Sequence, residues 1–189
     1  MKAPIAVVLL AAALAAGGCG STPKESFYTL AAPPAPLPAG ATGPLIAVGP
    51  VIVPEAVDRT PMVVRTGPNS VDIEDFHRWA EPLKSAIPRV LAENLMRELG
   101  TPRVTASRLA TTPPDYRVAV EIQRFDSSFA EGASLDALWT VTAARGAAAP
   151  KSGRTTITEP ATSPDYAGIA AAHSRALSRL AADIAAALR

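Results

Sequence analysis

Two stretches of this chain carry apolar residues at the spacing of an α-helix, and nearly all its other apolar residues alternate or run in short blocks. Leu83, Ile87, Val90, Leu91, Leu95 and Leu99 form the first stripe, with Glu93 and Arg97 paired on the outer side. Pro82 suits a first helical turn and Gly100 a C-terminal cap. Pro88 lies inside the pattern, so the helix is expected either to kink there or to begin there. Ile169, His173, Leu177, Leu180, Ile184 and Leu188 form the second stripe, opened by Ser163-Pro164-Asp165-Tyr166 as a capping sequence with proline just inside.

The remaining apolar segments read as strands. Leu45–Val53 is an almost unbroken β-branched run, which suits a strand buried on both faces, with Gly49-Pro50 marking a bulge or an edge. Pro61–Thr66 and Ser70–Glu74 flank Gly67-Pro68-Asn69, a hairpin signal. Asp115–Asp126 and Leu135–Ala143 alternate apolar and polar residues and predict neighbouring antiparallel strands; Arg154–Thr158 predicts another. The expected fold is α+β: a two-layer sandwich, its mixed and mostly antiparallel sheet carrying two amphipathic helices on one face. The slender, Ala-rich last helix can pack closely against the sheet or against another subunit, so a homo-oligomer is among the expected partners.

Composition narrows the function classes. Hydrophobic residues make up 48 % of 189, enough for a core, while a net charge of +1 lacks the basic stripe of a nucleic-acid binder. One cysteine excludes an internal disulfide framework, and with two histidines it cannot build an ordinary structural zinc site; neither metal nor cofactor is expected. Ser21-Thr22-Pro23-Lys24 matches S-x-x-K only formally, because no rigid helix holds it and no S-D-N follows. His77, with Asp75 and Glu81 nearby, could serve as a general base, and His173 could join it only if the fold brought them together. The simpler expectation is structural for both: His173 on an apolar helix stripe, His77 at a strand-to-helix corner beside Trp79. No catalytic residue is assigned.

The N-terminus decides the compartment. Lys2 precedes an apolar run, Ile5–Ala16, too short to span a bilayer, and Gly17-Gly18-Cys19 follow. These are the parts of a secretory signal (residues 1–18), and they resemble a bacterial lipoprotein signal, which implies acylation of Cys19. Gly20-Ser21 carry no acidic residue, which in that resemblance points to the outer membrane. Residues 19–44 are proline-rich and read as an extended lipidated tether, interrupted by a short strand near 26–30; residues 45–189 read as one globular domain.

Several stretches together resemble the PqiC family, the ABC-type transport auxiliary lipoproteins. They are Tyr28-Thr29-Leu30, Val51–Pro54 with Asp58-Arg59, Met62–Arg65, His77–Leu83, Val90–Leu95, Asp115–Val118 with Arg124–Asp126, and Ala172–Leu177. The resemblance implies a non-catalytic outer-membrane lipoprotein, on the periplasmic face, in an envelope-spanning lipid transport system, docking with its MCE-domain protein. The corner residues Phe76, His77, Arg78, Trp79 and Glu81 are the expected partner surface, together with the exposed side of the hairpin Met62–Ile73. Two rival expectations are a periplasmic carrier holding one lipid in its own cavity, and an envelope assembly or activator lipoprotein.

Overall fold

A computed structural model describes residues 23–34, 36, 43–106, 112–146 and 149–189. Cys19 and the segment before it lie outside the described residues, as does part of the proline-rich stretch. The elements in order are β1 (Ser26–Tyr28), β2 (Ile46–Ile52), β3 (Pro61–Gly67), β4 (Ser70–Trp79), α1 (Leu83–Leu99), β5 (Val104–Thr105), β6 (Tyr116–Ser128), β7 (Gly132–Ala143), β8 (Lys151–Glu159) and α2 (Tyr166–Leu188). The eight strands form one mixed sheet, and the two helices cover one face of it, as the periodicities predict. The long ladders β6–β7, β7–β8 and β3–β4 are antiparallel, whereas β1–β4, β2–β5, β2–β6 and β3–β6 are shorter and parallel.

β6 organises the sheet because it is long enough to hold two neighbours on one edge. Its first half pairs with β2, Ile46 opposite Tyr116, and its end meets β3, Val64 opposite Ser127. Val118, Val120 and Ile122 point to the helices; a register shift before Arg124 then turns Phe125 and Ser127 inward. The expected double-sided burial of Leu45–Val53 does not occur. In β2, Ile46 and Val48 are buried but Ile52 is 57 % exposed, because helices cover only one face of the sheet. A register shift between Val48 and Val51 marks the bulge expected at Gly49-Pro50.

Both helices are built as their sequences suggest, with local differences. α1 runs unbroken through Pro88, so the Lys84 carbonyl loses its usual donor four residues on. Pro82 sits at the N-cap, its carbonyl accepting from Ser85 and Ala86, and Gly100 ends the helix in the left-handed conformation at φ 64°. In α2 the cap is Asp165, whose Oδ1 accepts from the Gly168 N–H at 2.6 Å, so Pro164 falls outside the helix. The small residues Ala172, Ala176, Ala181 and Ala185 are all buried within this chain, which lets α2 lie close to α1 and the sheet.

β1 belongs to the body rather than to the tether. It pairs in parallel with the end of β4, Ser26 opposite His77 and Tyr28 opposite Trp79, and Leu30 is 1 % exposed. Arg89 reaches the Leu30 carbonyl, and the Ala31 N–H donates to Ser174 Oγ.

Candidate functional site

The expected corner is mostly strand, since β4 continues to Trp79 before the chain turns into α1. Trp79 is 4 % exposed, with its ring centroid 6.0 Å from that of His173 and 6.4 Å from that of Phe125, both in edge-on arrangements. Arg78 donates from Nε to the Asp75 carbonyl and stands 3.7 Å from Glu25. Glu81 is bonded to Arg89, whose guanidinium it holds above its ordinary range, and Glu93 lies 3.1 Å from the same group. His77 accepts or donates at Nδ1 to Tyr28 Oη, 2.9 Å away, and stacks on Tyr166 at 3.7 Å between centroids. Four of the five corner residues are thus committed to internal contacts. Phe76, 42 % exposed, is the one left open at the surface.

The two histidines occupy separate aromatic stacks. Around His77 gather Tyr28, Tyr166 and, edge-on to Tyr166 at 5.0 Å, Phe129. Burial, helped by a hydrogen bond to Glu74, pushes the Tyr166 phenol up to about 12, so it stays protonated. His173 is fully buried, stacked on Phe125 at 3.8 Å, with Nε2 2.9 Å from Ser127 Oγ.

A Ser–His pair at bonding distance is the arrangement of an activated nucleophile, and its surroundings decide against that use. Ser127 is 4 % exposed, so no substrate reaches Oγ. Burial pushes the His173 imidazole down to about 3, leaving it a weak base, and Nδ1 has no carboxylate to orient it. The pair ties β6 to α2.

Two surface regions remain. β1 runs parallel to β4, so its N-terminal end points toward the β3–β4 turn. β6 runs parallel to β3 and ends beside it, which puts the β6–β7 turn, with Phe129, at the same end. At this end and along the β1–β4 edge leading away from it lie Phe129, Val71 at 54 % exposure, Ile73, Phe76 and, opposite Arg78, Phe27 at 58 %, five of the seven large apolar residues exposed among the described residues.

The other region lies where β6 begins. β5 covers only Ile46 and Ala47, so from Val48 onward β2 has no strand on its outer side among the described residues. Between that edge and α1 runs an open groove of about 950 Å³, floored by Ala47, Val51, Pro88, Ala92 and Met96 and rimmed by Arg117. Nothing in the local pattern announces this groove; it arises because β5 is two residues long.

The chain matches the family described as the ABC-type transport auxiliary lipoprotein component over residues 28–185. It belongs to that family, and is thus an auxiliary lipoprotein of a transport system. The crystal structure of an uncharacterized protein superposes with a TM-score of 0.73 at 18 % identity, covering 88 % of this chain and all of that one. A Xanthomonas campestris protein of the DUF330 family superposes with a TM-score of 0.64 at 18 % identity, covering 85 % of this chain and 92 % of that one. At such identities both likenesses show a shared fold. No curated protein matches in sequence. Among the described residues no helix is long and apolar enough to cross a membrane, so within them nothing helical replaces a lipid anchor.

Proposed function

We propose that this chain is a lipid-anchored docking subunit of an MCE-type lipid transport system, attached through Cys19 to the periplasmic face of the outer membrane. It works by binding and performs no catalysis. The carrying observation is the open edge of β2 beside α1: β5 covers only Ile46 and Ala47, which leaves a groove of about 950 Å³ along Val48–Val51 into which a partner segment can lie. The groove's exposed strand edge offers unpaired backbone groups for an extended segment, and Arg117 favours an acidic one. Family membership, the signal-like N-terminus and the inaccessible Ser127–His173 pair support the same reading.

The test is affinity capture of the full lipoprotein from mildly solubilised envelopes. Retention of an MCE-domain protein, reduced by Arg117→Glu and lost from the outer-membrane fraction in Cys19→Ala, is the expected result. Capture of no such protein sinks the reading. The groove volume also favours a second one, in which the domain itself holds a lipid, since ligand sites fall between about 300 and 1,000 Å³. Lipid co-extracted in equal amount with purified protein would favour that carrier role.

A further inference from the structure

Five of the seven large apolar residues exposed among the described residues lie around the β1–β4 edge of the sheet, where the described chain begins. Their clustering has no cause in the core: Phe27 and Phe76 share one face of the β1–β4 pair, flanking the Arg78–Glu25 contact. Phe129 lies beyond the other face, against Tyr166. Val71 and Ile73 continue the apolar surface along β4. Of the four phenylalanines in the chain, only Phe125 is buried. A soluble body gains nothing by gathering its exposed aromatics along one edge.

The chain's length says what meets them. Cys19 stands seven residues before Ser26. At about 3.3–3.6 Å per residue, even a fully extended connection spans only about 25 Å. A body of this size has a radius of gyration of about 15 Å, so the link is shorter than the molecule is wide. Once Cys19 carries acyl chains, the aromatic edge is held at the bilayer surface.

We propose that Phe27, Val71, Ile73, Phe76 and Phe129 form a membrane-contact face that seats in the headgroup boundary of the leaflet holding Cys19. This rests on the lipid attachment assigned above. The surface it fits is zwitterionic, because the charges around it nearly balance: Glu25, Asp72, Glu74, Asp75, Asp126 and Glu131 stand against Lys24, Arg59, Arg65, Arg78 and Arg124. Seating there is also a second attachment signal of the kind that acyl chains share in stably bound peripheral proteins.

The test uses the full lipoprotein reconstituted in phosphatidylcholine vesicles containing brominated lipid. Phe27→Trp and Phe129→Trp place reporters on the face, Phe76→Trp is the reserve should either fail to fold, and Leu138→Trp is a control on the outer sheet face. The unsubstituted protein supplies the background of Trp79 and Trp139. The expected result is bromine quenching at least threefold stronger at positions 27 and 129 than at 138. Equal quenching at all positions, in protein whose mass shows the acyl chains, overturns the proposal while leaving the anchor intact. Unquenched, blue-shifted reporters in a self-associated species overturn it in favour of a second copy of the chain. Absence of the acyl mass overturns the anchor and this inference together.

Discussion

Tyr28 Oη lies 2.9 Å from His77 Nδ1, and this bond joins β1 to a β4 residue 49 positions later. Tyr166, stacked on the same imidazole, brings the N-terminus of α2 into the joint. Three segments distant in sequence are thus clasped together at β1.

Removing the hydroxyl with Tyr28→Phe keeps the ring packing and deletes one hydrogen bond. The expected loss is about 1 kcal/mol, read as a lower urea midpoint at unchanged slope. Trypsin should then cut after Lys24 faster than in the parent protein, since opening β1 exposes that site. Unchanged cleavage and midpoint would remove the clasp from the account.

His173 makes stability depend on pH in a defined direction. Its folded value of about 3 lies below its ordinary 6.5, so the unfolded chain binds the extra proton between those values. Stability from this group is complete above pH 6.5 and falls as pH drops toward 3, by up to about 1.4 kcal/mol per unit. His173→Gln keeps a donor for Ser127 and cannot titrate. Urea unfolding at pH 7, 6 and 5 should therefore show a shallower fall for the variant, and parallel curves would refute the assignment.

Gly132 begins β7 at φ 86°, a conformation that side chains disfavour, and a Cβ there would overlap the Glu159 carbonyl. Gly132→Ala should cost on the order of 2 kcal/mol or more, measured by thermal unfolding. Gly146→Ala, whose Cβ would meet no neighbour, is the comparison that isolates the clash, because that glycine also has positive φ.

Leu177 is wholly buried at the centre of the α2 stripe. Leu177→Ala should destabilise by about 2–5 kcal/mol, with a cavity between the two layers. Calorimetry that found less than 1 kcal/mol would mean that the helices are not packed on the sheet as described.

Much of the fold was readable residue by residue. The helical stripes, the Gly100 cap, the β3–β4 hairpin and the alternation in β6 and β7 all announced themselves, while the cap of α2 fell at Asp165, two residues beyond the Ser163 that a proline just inside the helix implies. β4 was read short because Asp75, His77 and Arg78 look like a polar corner; β1 covers their backbone, which no neighbouring residue reveals. β5 escaped notice because two residues carry no period. Of the expected partner residues, Trp79 sits in the core and Arg78 and Glu81 in internal contacts, since residue type alone does not say which side a chain segment turns to its neighbours.

The amino-acid order alone determined which segments are helical or extended, where the helices stop, and the lipoprotein-like signal that makes Cys19 the expected anchor. Those properties depend on spacings of a few residues, over which side-chain pattern and backbone preference act directly. Only the tertiary structure decided that β1 joins β4, that Ser127 meets His173, that exposed apolar residues gather around the β1–β4 edge, and that a groove opens between β2 and α1. Such relations come from competition among strand edges many residues apart, and their outcome is set by how the whole sheet shares its neighbours.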